Sequence, residues 1–137
     1  MLLFDYPRSV HFHETDAAGI IHFSNFFCYA AEAEQACFQE LEIPSFNQGE
    51  IWVRVHASCD YHHPVTFQDQ LVIRLEEWEL GKSSISYEFQ VILDNEEGNQ
   101  IDEQVLIATG KIIIVRYDKE NDKSIPLSDD IRQKLTQ

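Results

Sequence analysis

The sequence predicts an α+β fold in which one long helix is wrapped by an antiparallel β-sheet. Three observations carry that prediction. Residues from about Asn25 to Leu41 are apolar almost all the way round a helix. The segments after residue 50 alternate apolar and polar residues with a period of two, or run apolar on both faces. The order is strand, long helix, then successive long strands, without the strand–helix alternation that builds a parallel sheet.

Val10, Phe12 and Glu14 alternate with His11 and His13, which predicts a first strand. A short connection, Asp16–Phe23, leads into the helix, with Ser24 or Asn25 as N-cap. Phe26, Phe27, Tyr29, Phe38 and Leu41 nearly encircle this helix, and Ala30, Ala31, Ala33 and Ala36 let a curved sheet approach closely. Ile43-Pro44 ends it. Next come a run with Ile51, Val53, Val55, Ala57, Cys59 and Tyr61 on its core face and Trp52, Arg54, His56, Ser58 and Asp60 on its wetter face, and a second run over Asp69–Leu80. Gly81-Lys82-Ser83 forms a turn, and Ile85–Leu93 is a third run. Asp94–Asn99 reads as a hairpin loop. Val105–Tyr117 is apolar on both faces and predicts an interior strand, with Gly110 marking a close approach or bulge. A short amphipathic helix from Ser128 to Leu135 carries Asp129 and Asp130 at its positive end.

At 137 residues, 44% of them apolar, residues 1–137 are expected to make one domain with a real core. The formal net charge of −14 argues against nucleic acid or an anionic membrane as partner, though a local basic cluster can still hold a small anion. No stretch is long and apolar enough to span a bilayer, and the first eight residues lack the regions of a signal peptide. Cys28, Cys37 and Cys59 are odd in number and lack a CxxC spacing, so a reducing, cytoplasmic setting is expected.

Chemistry concentrates in Thr15-Asp16-Ala17-Ala18-Gly19-Ile20-Ile21-His22-Phe23-Ser24-Asn25-Phe26. A lone carboxylate before a tight glycine turn and a helix start pairs a nucleophile or base with backbone N–H groups, which is what acyl transfer requires. An Asp at such a turn can equally be a capping residue. His11 and His13 share one strand face and His62 and His63 precede a proline; with Glu14 and Asp16 they could imitate metal ligands, but the spacings match no standard zinc pattern and no metal or other cofactor is expected. Gly-Lys-Ser at residues 81–83 lacks the earlier glycine and the following helix of a P-loop. Arg54, Arg74 and Arg116 are further candidates for phosphate contacts.

These residues carry a resemblance. Glu14 to Phe26 resembles the active-site signature of the 4-hydroxybenzoyl-CoA type of thioesterase, which has the hotdog fold. Tyr61-His62-His63-Pro64 with Asp69-Gln70-Leu71 resembles its second hallmark, and Lys82-Ser83 after Trp78 its coenzyme A-binding turn. Within the Asp-first branch the chain is most similar to the 1,4-dihydroxy-2-naphthoyl-CoA hydrolases of phylloquinone (vitamin K) biosynthesis. The resemblance implies an acyl-CoA hydrolase with Asp16 as nucleophile or general base. Gly19 gives the turn beside the substrate and the Phe23 backbone N–H polarises the carbonyl. His22, Asn25, Trp52, His56 and Ser58 are implied near the acyl group, and Lys82, Ser83 and Ser84 near the nucleotide. It also implies a homodimer, paired again into a homotetramer, and an aromatic acyl-CoA as substrate. Two positions depart from the pattern. His22 stands where Tyr or Trp is usual, and Ala31 where an acidic residue is frequent, with Glu32 and Glu34 close by. The other readings are a fatty acyl-CoA or acyl-carrier-protein thioesterase, a non-catalytic acyl-CoA-binding protein, and a dehydratase whose catalytic histidine has no match here.

Overall fold

A computed structural model describes residues 2–94 and 105–136. The chain forms β1 (Phe4–Ser9), a 3-10 turn (Phe12–Glu14), α1 (Asn25–Glu40), β2 (Glu50–Tyr61), β3 (Gln70–Leu80), β4 (Ser84–Leu93), β5 (Val105–Asp118), β6 (Lys123–Ser124) and α2 (Asp129–Leu135). The strands make one antiparallel sheet in the order β1-β3-β4-β5-β2, with β6 added on β5. The sheet places Leu71, Ile73, Leu75, Ile85, Tyr87, Phe89, Ile112 and Ile114 in one buried cluster with Phe26, Tyr29, Ala30, Ala33, Cys37 and Phe38 of α1. This is the helix-in-sheet arrangement of the hotdog fold, as expected.

The first strand lies elsewhere than the alternation at residues 10–14 predicts. Strand β1 covers Phe4–Ser9 and pairs with β3 from Phe4↔Leu75 to Ser9↔Gln70. Pro7 is tolerated there because β1 is an edge strand. Past Val10 the chain leaves the sheet, because the Glu14 carboxylate accepts the His11 N–H at 2.8 Å and closes a 3-10 turn.

Two bulges also depart from simple alternation. The β2–β5 register shifts between Arg54 and His56, so Val55 is inserted and is 59% exposed. Before it Trp52 packs on Phe38 of α1; after it Tyr61 packs on Phe26. Trp52 and Arg54 therefore face the helix, whereas they were expected on the wetter face with His56 and Ser58. A second shift lies between Glu76 and Glu79 on β3, where Glu77 has φ 54°, and it brings Trp78 onto the core face against Tyr87.

Strand β5 is interior, between β4 and β2. Gly110 is required there, since a Cβ would collide with the Phe89 ring and the Ser58 carbonyl. The 81–83 turn forms as expected, closed by Gly81 N–H to Ser84 C=O at 2.8 Å. Helix α2 starts one residue later than expected, because Ser128 is its N-cap and accepts the Ile131 N–H at 3.2 Å. Of the expected hairpin loop, the residues after Asp94 lie outside the described residues.

Candidate active site

Thr15 and Ile21 pair as an isolated antiparallel bridge, and between them the chain makes a tight hairpin. The Asp16 N–H donates to Ile20 C=O at 2.8 Å and the Gly19 N–H to Asp16 C=O at 3.0 Å. That pattern closes a three-residue connection, Ala17-Ala18-Gly19, with Gly19 at φ 81° in the left-handed region such a loop demands. The Asp16 Oδ1 accepts the Ala18 N–H at 2.8 Å, so the carboxylate also caps its own turn. Its other oxygen makes no hydrogen bond among the described residues, and the side chain is exposed. The hairpin is docked by an Ile20↔Thr66 bridge and an Ile21 N–H bond to Val65 C=O at 2.8 Å.

The base of the hairpin is anchored on a buried charge. Glu14 is 4% exposed. Its Oε1 accepts from Arg8 Nη1 at 2.6 Å, the Tyr29 hydroxyl at 2.8 Å and the His11 N–H. Burial alone would raise its pKa, but the Arg8 hydrogen bond, then those from His11 and Tyr29, outweigh it and hold the carboxyl at about 2. Arg8 also donates from Nη2 to Glu32 Oε1 at 3.2 Å and lies 4.1 Å over the Tyr29 ring. Sequence reasoning missed this network, whose members come from β1, the 3-10 turn and α1. The alternation of Arg8 with Tyr6 and Phe4 was its one visible trace.

The second strand of the hairpin delivers the helix entrance. The Phe23 N–H, on the turn before α1, donates to nothing among the described residues. The Phe23 side chain is 58% exposed, stacks on His22 at 4.6 Å and meets Tyr61 at 5.9 Å. His22 Nδ1 pairs with the Ser24 hydroxyl at 2.7 Å, which explains why Ser24 stands at the N-cap without capping the helix through its side chain. Asn25 uses its side-chain amide on two backbone carbonyls, Glu14 C=O at 3.0 Å and His22 C=O at 3.1 Å. Asp16, Gly19, His22, Phe23 and Asn25 are thus one continuous unit.

The remaining site candidates lie apart from it. The Val55 bulge puts Trp52 against α1, with Nε1 donating to Pro44 C=O at 3.3 Å. His56 and Ser58 share the opposite face and pair at 3.3 Å. The Lys82-Ser83-Ser84 turn sits beyond the Leu80 end of β3, while the Asp16 hairpin docks near its Gln70 end. Ten residues of strand at about 3.3 Å each separate them by roughly 30 Å. The turn is latched by the C-terminal segment. Arg132 Nη2 donates to Gly81 C=O at 2.8 Å and Lys82 C=O at 3.1 Å, and the Leu127 N–H to Lys82 C=O at 2.8 Å. Arg54, Arg74 and Arg116 are paired with Glu34, Asp5 and Glu50 at 3.0, 2.8 and 2.6 Å.

Two clusters remain. Ligand atoms of His11, His13 and Glu14 lie within 4.8 Å of one another, but the Glu14 carboxylate is already held by Arg8, which opposes a cation. Glu34 is 6% exposed and is bonded by Arg54 at 3.0 Å and the Tyr87 hydroxyl at 2.7 Å. Burial, the largest influence, raises its pKa despite both partners. It borders a cleft of about 240 Å³ with Phe38, Trp52 and Phe46.

Comparison with known proteins identifies the family and the fold. The profile of the Thioesterase-like superfamily matches residues 10–135. A 1,4-dihydroxy-2-naphthoyl-CoA hydrolase of Crocosphaera subtropica is 30% identical over 127 residues, covering 90% of each chain. Among solved structures, a 1,4-dihydroxy-2-naphthoyl-CoA thioesterase from Synechocystis superposes with a TM-score of 0.85 at 20% identity, over 98% of this chain and 96% of that one. A gentisyl-coenzyme A thioesterase does so with a TM-score of 0.79 at 26% identity, over 93% and 98%. The chain therefore belongs to the thioesterase-like superfamily and is a thioester hydrolase with the hotdog fold.

Proposed function

We propose that this chain hydrolyses an aromatic acyl-CoA, 1,4-dihydroxy-2-naphthoyl-CoA being the substrate its named relatives favour. One observation carries the reading: the exposed Asp16 carboxylate stands on one arm of a short hairpin, and the other arm leads directly into the turn whose Phe23 N–H is unpartnered among the described residues, at the opening of α1. The thioester carbonyl oxygen lies against the Phe23 N–H, where the positive end of the helix adds to the polarisation. The Asp16 carboxylate either adds to the carbonyl carbon or takes a proton from a water that adds. The tetrahedral oxyanion is held by the same N–H. It collapses by breaking the C–S bond, and the thiolate leaves and is protonated. On the direct route, water then cleaves the acyl–Asp16 anhydride. Both routes sum to thioester plus water giving acid plus thiol.

The site is completed by a second copy of the chain. Strand β2 ends the sheet with one edge unpaired among the described residues, and it exposes Val55 and Tyr61. Antiparallel pairing of β2 with its copy sets the Glu50 end of one beside the Tyr61 end of the other. The partner's 81–84 turn then stands at the Asp16 end of this chain, where it can hold the nucleotide. Two such dimers make the homotetramer. The free cysteines Cys28, Cys37 and Cys59 fit a cytoplasmic protein. Among the described residues no helix is long and apolar enough to cross a membrane.

The test is thiol release from 1,4-dihydroxy-2-naphthoyl-CoA, 4-hydroxybenzoyl-CoA and palmitoyl-CoA. The aromatic esters are expected to have the higher kcat/KM by about tenfold or more. A higher value for palmitoyl-CoA assigns the site to fatty acyl groups, and no release from any ester removes the catalytic reading.

A further inference from the structure

The C=O of His22 and the N–H of Phe23 belong to one peptide unit, which is planar, with its oxygen and hydrogen pointing in opposite directions. That oxygen accepts two hydrogen bonds from one residue, Asn25 N–H at 3.0 Å and Asn25 Nδ2 at 3.1 Å. Fixing the oxygen aims the hydrogen. Donation to the oxygen also draws charge through the amide, so the N–H at the other end becomes a stronger donor. Nδ2 has two hydrogens, and its other contact is Glu14 C=O at 3.0 Å, on the opposite strand of the hairpin. Glu14 C=O also accepts the His22 N–H at 2.8 Å, and its side chain is anchored by Arg8 and Tyr29.

We infer that Asn25 is a positioning residue, orienting and polarising the Phe23 N–H while locking it in register with the strand that carries Asp16. Both amide hydrogens face backbone carbonyls, so they are taken up within the hairpin and not by the substrate. The side chain fits the task uniquely among close relatives. Aspartate would set a negative charge against two carbonyl oxygens, glutamine would overshoot by a methylene, and serine can supply one donor. The inference rests on the proposed acyl-CoA hydrolysis and deepens it.

The experiment compares the parent with Asn25→Ala and Asn25→Ser on the best aromatic acyl-CoA. In parallel, Raman difference spectra record the thioester C=O stretch of that ester bound to Asp16→Asn and to the Asp16→Asn/Asn25→Ala double variant. In Asn25→Ala, kcat is expected to fall about 10- to 100-fold, less than or equal to the loss of a whole oxyanion donor, with KM nearly unchanged. Asn25→Ser is expected to recover part of kcat. The C=O band is expected at lower frequency on Asp16→Asn than in solution, and to return toward its solution position in the double variant. If Asn25→Ala fails to fold, the isosteric Asn25→Asp carries the same two readouts. Parent-like kcat in the Asn25 variants, or a lowered kcat with an unmoved C=O band, overturns the inference. Hydrolysis lost in Asp16→Asn but kept in Asn25→Ala sinks this inference alone. A parent chain without hydrolysis sinks the proposed function with it.

Discussion

Glu14 and Asp16, two residues apart, have opposite surroundings. The Glu14 carboxylate is buried and accepts from Arg8, Tyr29 and the His11 N–H, while the Asp16 carboxylate is exposed and accepts only the Ala18 N–H among the described residues. One carboxylate is consumed in holding the chain still so that the other can remain available. The predictions below separate these two roles.

Asp16→Ala is expected to abolish hydrolysis of aromatic acyl-CoA, by about 1000-fold or more in kcat, with little change in fold. The turn loses one hydrogen bond to Ala18, worth about 1 kcal/mol. Thiol release and circular dichroism, measured together, check both halves. A variant hydrolysing at the parent rate removes Asp16 from the chemistry.

Lys82→Ala is expected to raise KM several-fold more than it lowers kcat, if the turn holds the nucleotide as proposed and not the thioester. The roughly 30 Å between the turn and Asp16 within a chain makes a mixing test decisive. Subunit exchange between Asp16→Asn and Lys82→Ala should create sites with both native groups. At low substrate the mixture should exceed the sum of its parts. A strictly additive mixture would show that the turn and Asp16 do not meet across subunits.

Glu14→Gln is expected to destabilise the fold in a pH-dependent way. The folded carboxyl titrates at about 2 against an ordinary 4.5, so the native state gains stability from it above pH 4.5 and loses that gain as pH falls toward 2. A shift of that size corresponds to roughly 3 kcal/mol at neutral pH. Denaturant unfolding at pH 7, 4 and 2.5 should show the gap between parent and variant narrowing on acidification. A constant gap would mean that the carboxylate charge is not what stabilises.

Gly110→Ala is expected to cost about 1–3 kcal/mol or more, because the new methyl meets the Ser58 backbone as well as the Phe89 ring. Chemical denaturation reads it directly. Unchanged stability would show that the β2–β5 and β4–β5 pairings can open locally at no cost.

The long helix was legible from its unbroken run of apolar residues, and most strands because burial on one side imposes a period of two that local sequence displays. The turn at Gly19 was legible for a different reason, since few residues other than glycine occupy that backbone region readily. What failed to show was set by tertiary partners. Residues 10–14 do alternate, but the Glu14 side chain takes the His11 N–H that a neighbouring strand would need. The faces of β2 were inverted for Trp52 because nothing in Arg54-Val55-His56 marks Val55 as an inserted residue. Asn25 was legible as a residue of the site, while its two carbonyl partners come together only when the hairpin closes.

The Val55 bulge is the place where β2 can shed a residue without turning over. Arg54 pairs with Ile114 and His56 with Ile113, so excising Val55 would restore strict pleating while every partner from His56 to Tyr61 stays as it is, and Tyr61 would remain beside Phe23 and Phe26. Evolution can therefore shorten this strand by one residue without relocating a wall of the site, giving up only the extra twist that the bulge puts into an edge strand.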